Sequence, residues 1–152
     1  MGNGMKVLGF AALALVVMQF LPVDRGNPPE EGPLVIADVQ VADIVDRACA
    51  DCHTHSTEWP WYSRVAPLSW WLVAHVEEGR EHLNLSTWGT LTPDRQDHKL
   101  EEVVEYVENG EMPLKSYQLG HPEARITDQE RQLLMDWANR LRSDVGGAGE
   151  EA

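Results

Sequence analysis

The sequence predicts an all-α domain preceded by one apolar N-terminal helix. Apolar residues recur at helical spacing in several windows, and no stretch alternates with period two for long. The breaks between the windows are made of Gly, Pro and Asn, which stop helices. With 152 residues, 43% hydrophobic and 24% charged, the chain suits one globular domain and excludes disorder throughout and fibrous repeats. Twelve basic against twenty-five acidic residues give a net charge of −13. That field repels phosphate backbones, so nucleic acid is excluded as a partner. Six tryptophans against two phenylalanines point to a site packed with large flat rings.

The elements follow in order. Lys6 precedes an uncharged run, Val7–Val23, that reads as an uncleaved signal anchor, a transmembrane helix within residues 1–23. Its one small-x-small triplet, Ala12-Leu13-Ala14, lies mid-run, and the Leu21-Pro22-Val23 exit offers a peptidase nothing small; a cleaved signal and a buried core helix are the alternatives. Lys6 before the run and Asp24 after it set the body outside the cytoplasm. Residues 24–33, rich in Pro and Gly, read as an extended spacer. The domain proper is expected over 34–143, with a disordered acidic tail at 144–152. Within it, helices are expected over Leu34–Cys49, Pro67–His82 and Arg95–Glu108, the last stopped by Asn109-Gly110. A final helix opens on Thr127 with Glu130 three residues on, a capping box.

Cys49-Ala50-Asp51-Cys52-His53 carries the chemistry. The C-x-x-C-H spacing is the attachment signature of c-type haem: two thiols form thioethers with the porphyrin vinyls, and the adjacent imidazole ligates the iron. A thioredoxin-like pair would want a βαβ context, a zinc site a second ligand pair, and a plain disulfide an oxidising compartment. For the iron's sixth position Met112 stands after a helix stop and before a stiffening Pro113, and Met/His ligation raises the potential. His75 and His82, seven apart on one helix face, are the bis-histidine alternative. His98 and His121 read as solvated.

These residues, with Glu58-Trp59-Pro60-Trp61-Tyr62-Ser63, Ala66-Pro67-Leu68-Ser69-Trp70, His75-Val76, Glu78-Gly79-Arg80, Asn84, Trp88, Glu111-Met112-Pro113-Leu114, Tyr117 and the Thr127–Leu141 helix, carry a resemblance. The chain resembles the bacterial haem-binding domain family with a C-x-x-C-H motif, itself similar to small class I cytochromes c. The resemblance implies a cytochrome c-like helical fold and haem binding, and little about a reaction. Trp59, Trp61 and Tyr62, with Trp70 and Trp71, are expected to wall the porphyrin. Arg80 and Arg64 are expected to pair with its propionates. The reading is a monohaem c-type protein tethered to a bacterial inner membrane. Its haem domain lies in the periplasm and passes single electrons to a redox protein steered by the acidic surface. The alternatives are a haem sensor or peroxidase-like enzyme with an open sixth position, and a haem-stabilised interaction module.

Overall fold

The structure, a computed structural model, describes residues 2–150, and among them all regular structure is helical. Helix α1 spans Asn3–Met18, α2 Val39–Ala48, α3 Ala50–His53, α4 Leu68–His82, α5 Pro93–Glu108, α6 Lys115–Gly120 and α7 Asp128–Glu150, with short 3₁₀ turns in the loops. The all-α expectation holds. Helix α2 begins later than the apolar spacing suggested because Asp38 caps it, its Oδ1 accepting from the Gln40 and Val41 amides at 2.9 and 3.3 Å. The capping box of α7 is formed as read: Thr127 donates its amide and hydroxyl to Glu130 Oε2, and the Glu130 amide donates to Thr127 Oγ1. Gly110, at φ +69°, turns the chain out of α5. The helix α7 continues as far as Glu150 where a disordered tail was expected, and the last two residues of that tail lie outside the described part.

Two clusters form the core. Val41, Ile44 and Val45 of α2 meet Val107 and Leu134; Trp88 and Leu100 meet Ala138, whose small side chain lets α5 and α7 close on each other. Arg47 ties α2 to the far end of the fold, donating to the Glu123 and Arg125 carbonyls and to the Glu130 carboxylate.

The N-terminal segment departs from expectation. Helix α1 has 16 residues, about 24 Å at 1.5 Å per residue against a hydrocarbon core of roughly 30 Å. Among the described residues no helix is long and apolar enough to cross a membrane. This corrects the transmembrane helix read from the uncharged run. The helix stops early because Gln19 turns its amide onto Ala66, accepting from its N–H at 3.0 Å and donating to its carbonyl at 3.1 Å, and Pro22 cannot continue it. Nor is α1 a core helix, since none of its residues is buried. The segment expected to be a spacer is extended but lies along the domain: Asn27 donates to the Thr57 carbonyl at 3.0 Å, and the Glu31 and Leu34 amides donate to the Ser86 and Leu85 carbonyls at 2.8 Å. Gly32, at φ +72°, passes Gly89 so closely that a Cβ would stand 3.3 Å from its Cα.

Replacing Arg47 with Ala removes three anchors of one half-buried guanidinium, and unfolding stability should fall by about 1–2 kcal/mol. Urea denaturation, read as a lower midpoint at unchanged slope, checks it.

Candidate functional site

A cavity of about 330 Å³ lies among α2, α3, α4, α5 and α7. Its wall is mainly apolar: Ile44, Val45 and Ala48 from α2; Leu83 and Leu85; Leu100, Val103 and Val107 from α5; Leu134 and Trp137 from α7. Into it open Cys49, Cys52 and His53, and also Met112 with Pro113 and Leu114. Residues far apart in sequence thus share one wall.

The cysteines sit where α2 breaks. Cys49, at φ −128°, ends α2 while its amide still donates to the Val45 carbonyl, and the next turn, α3, carries Cys52 and His53. Both cysteines are free thiols. Burial pushes the Cys49 thiol up to about 12 and the Cys52 thiol up to about 11, so both stay protonated. Among the described residues no group of three or more His, Cys, Asp or Glu side chains is placed to hold a metal ion, so a zinc site lacks its ligands.

His53 is fixed by α4. Its Nδ1 lies 3.0 Å from the Gly79 carbonyl and 2.9 Å from the Leu83 carbonyl. Carbonyls only accept, so Nδ1 carries the proton and Nε2 keeps its lone pair. Burial depresses the imidazole's pKa, outweighing the two carbonyls, and keeps the ring neutral. Neutral imidazole with one nitrogen bonded to backbone and the other free is the state that ligates a metal. The E-G-R segment singled out in the sequence explains the geometry. At Gly79 a Cβ would stand 2.8 Å from the Cys52 carbonyl oxygen, so only glycine lets α4 come this close.

Arg80 does not enter the cavity. Its guanidinium donates to the Thr54 carbonyl, the Gly26 carbonyl, Asn27 Oδ1 and Thr57 Oγ1 at 2.9–3.1 Å, binding the N-terminal segment to the loop after the cysteines. Trp59, Trp61 and Tyr62 do not wall the cavity either. Trp61 is 78% exposed, and Trp59 and Tyr62 line a separate space of about 30 Å³ behind α3, where the Trp59 indole N–H has no partner. Trp70 and Trp71 are likewise outside, and Arg64 is exposed. The tryptophans of the cavity are Trp88 and Trp137. The helical stripe of α7 carried a signal for the second, and Gly89 beside the first hid it in apparent loop chemistry.

The remaining histidines divide clearly. His75 and His82 both reach the cavity wall; His75 also donates to the Trp71 carbonyl at 2.8 Å. His98 is exposed beside Glu101 and Glu102. His121 is not simply solvated: it stacks on Tyr117 at 4.2 Å and bonds Glu123 and Tyr62. Tyr117 itself lines the cavity and donates to Asp51 Oδ2 at 2.7 Å, fixing the C-x-x-C-H turn from the side of α6.

The residues present fit a haem: a neutral imidazole with Nε2 free, two protonated thiols one turn away, a thioether sulfur in the same wall, and an apolar lining. Replacing Gly79 with Ala should force α4 off Cys52 and cost about 1–3 kcal/mol of overpacking strain. Thermal melting, with haem stain per mole of protein, checks it; both should fall, because His53 loses its carbonyl partner. No curated protein and no solved structure matches the chain. The family model described as the haem-binding domain matches residues 13–140. The chain belongs to the haem-binding domain family.

Proposed function

We propose that the protein is a monohaem c-type protein, its haem held covalently through Cys49 and Cys52 and ligated by His53 and Met112, that passes single electrons outside the cytoplasm. The observation that carries this reading is the convergence of both thiols, the free Nε2 of His53 and Met112 on one apolar cavity. When bound, the haem supplies a one-electron couple at its iron. The chain's part is positional and electrostatic. Gly79 and Leu83 hold the His53 ring in one tautomer, the apolar wall keeps water away, and the Tyr106 carbonyl accepts from the Glu111 and Met112 amides at 3.0 and 3.1 Å, pinning the methionine loop. We place the domain in the periplasm of a bacterium, held at the inner membrane by α1 and the exposed Phe20 and Leu21 lying in lipid, with a protein of basic surface as redox partner. The support is that α1 presents Val7, Leu8, Phe10 and Leu13 more than half exposed, an apolar surface that needs an apolar neighbour.

Absorption spectra of the oxidised and reduced protein, made with a periplasmic haem-maturation system, test the reading. Haem should survive denaturing electrophoresis and acid–acetone extraction, and replacing both cysteines with Ala should release it. Replacing Met112 with Ala should lower the potential and let carbon monoxide bind the reduced form. A second reading, an open or switchable sixth position serving a sensor or peroxidase-like role, rests on His75 and His82 reaching the same wall. It is favoured if the resting iron is five-coordinate and reduced wild type binds carbon monoxide; a Met112 variant that stays six-coordinate and low-spin while a histidine variant does not makes the site bis-histidine, with electron transfer at a lower potential. For the membrane, deleting residues 2–23 should move the protein from the membrane pellet to the soluble fraction. A mature chain beginning near Asn27 in the soluble periplasm overturns the tether.

A further inference from the structure

A haem brings two propionate carboxylates as well as its iron, and the site described above gives them no partner. Arg80, the cation expected there, is spent on the loop backbone and the N-terminal segment. Among the described residues Lys99 is the only lysine or arginine in the cavity wall. It stands on α5, its side chain 21% exposed, and its ammonium donates to Glu102 Oε2 at 2.7 Å. Glu102 also reaches the wall, and so do Glu78, His75 and His82 of α4. Glu78 and His82 are exposed, whereas Ile44, Leu100, Val107 and Leu134 of the same wall are buried. The polar wall therefore marks the mouth, between α4 and α5, and the apolar wall marks the depth.

Charge decides what the mouth needs. Two propionates arriving beside Glu78 and Glu102, in a chain of net charge −13, are repelled unless a cation stands among them. An ammonium on a flexible stem can leave a partly exposed i,i+3 pair on one helix, which is worth only about a few tenths of a kcal/mol. A propionate at a partly desolvated mouth is the stronger partner.

We propose that Lys99 exchanges Glu102 for a haem propionate and keeps that carboxylate ionised at the cavity mouth. The inference rests on the haem reading above. The titratable groups facing the exchange are Glu102 and its neighbour His98 on α5, and His75, Glu78 and His82 across the mouth on α4.

The experiment compares haem-loaded wild type with Lys99→Gln, Lys99→Arg and Lys99→Gln/Glu102→Gln, each first shown by haem stain to carry covalent haem. Wild type without covalent haem would count against the functional reading and not against Lys99. The readouts are the reduction potential as a function of pH and the propionate bending bands in resonance Raman spectra. Oxidised iron favours an ionised propionate more than reduced iron does, so a propionate that titrates makes the potential fall as pH rises. Lys99→Gln should lower the potential and add this slope in the acid range where carboxylates titrate, with shifted propionate bands. Lys99→Arg should keep the wild-type profile, and the double variant should keep the added slope, moved to lower pH because Glu102 no longer repels the propionate. Superimposable profiles for wild type and Lys99→Gln overturn the proposal. So does restoration of the wild-type profile in the double variant, which makes Glu102 the titrating group. A changed axial spectrum in Lys99→Gln overturns it as well, because Lys99 would then act at the iron.

Discussion

The approach of α4 to the C-x-x-C-H turn is the constraint on which the rest depends. At Gly79 the two backbones touch, and that contact puts the Gly79 and Leu83 carbonyls on either side of His53 Nδ1. The helix end also benefits, since Leu83 caps α4 and its carbonyl, which lies beyond the helix, takes a donor from the imidazole. One imidazole proton thus serves three ends: it satisfies a helix terminus, sets the tautomer, and aims Nε2 into the cavity. A methyl group at position 79 would disturb all three.

The opposite wall is built differently. There α5 and α7 pack along their length around Ala138, and Arg142 clamps their far ends by donating to Asp97 at 2.9 Å. Helix α2 leans on this pair through Val41, Ile44 and Val45, and Arg47 fastens it from outside. The two halves of the fold meet mainly around the cavity, so its lining is the shared core of both. A flat apolar ring between them would complete the burial that neither half achieves by itself.

Much of this was legible in the sequence because it rests on local rules. The Asn109-Gly110 stop and the Thr127–Glu130 box depend on residues three or four apart, and C-x-x-C-H encodes its chemistry in its own spacing. Helix faces placed Leu134 and Leu100 inward for the same reason. What stayed hidden depends on long-range geometry. Nothing in W-P-W-Y-S says which side of α4 the rings take, and Trp61 takes solvent. Arg80 reads as a free cation until Asn27 and Thr57 are seen beside it. The uncharged run does not show where α1 ends, because Gln19 folds back onto Ala66 across 47 positions of sequence.

The strapping of residues 19–34 along the domain has a geometrical consequence. A domain on a loose leash samples every tilt, and a docking partner must then wait for, or select, the right one. Here the leash is bonded to the body it leads to, at Ala66, Thr57, Leu85 and Ser86, so the mouth between α4 and α5 keeps a set bearing relative to α1. The bearing of the mouth on α1 is settled when the chain folds, so under the tether proposed above the entropy of aligning it would not recur at each encounter with a partner.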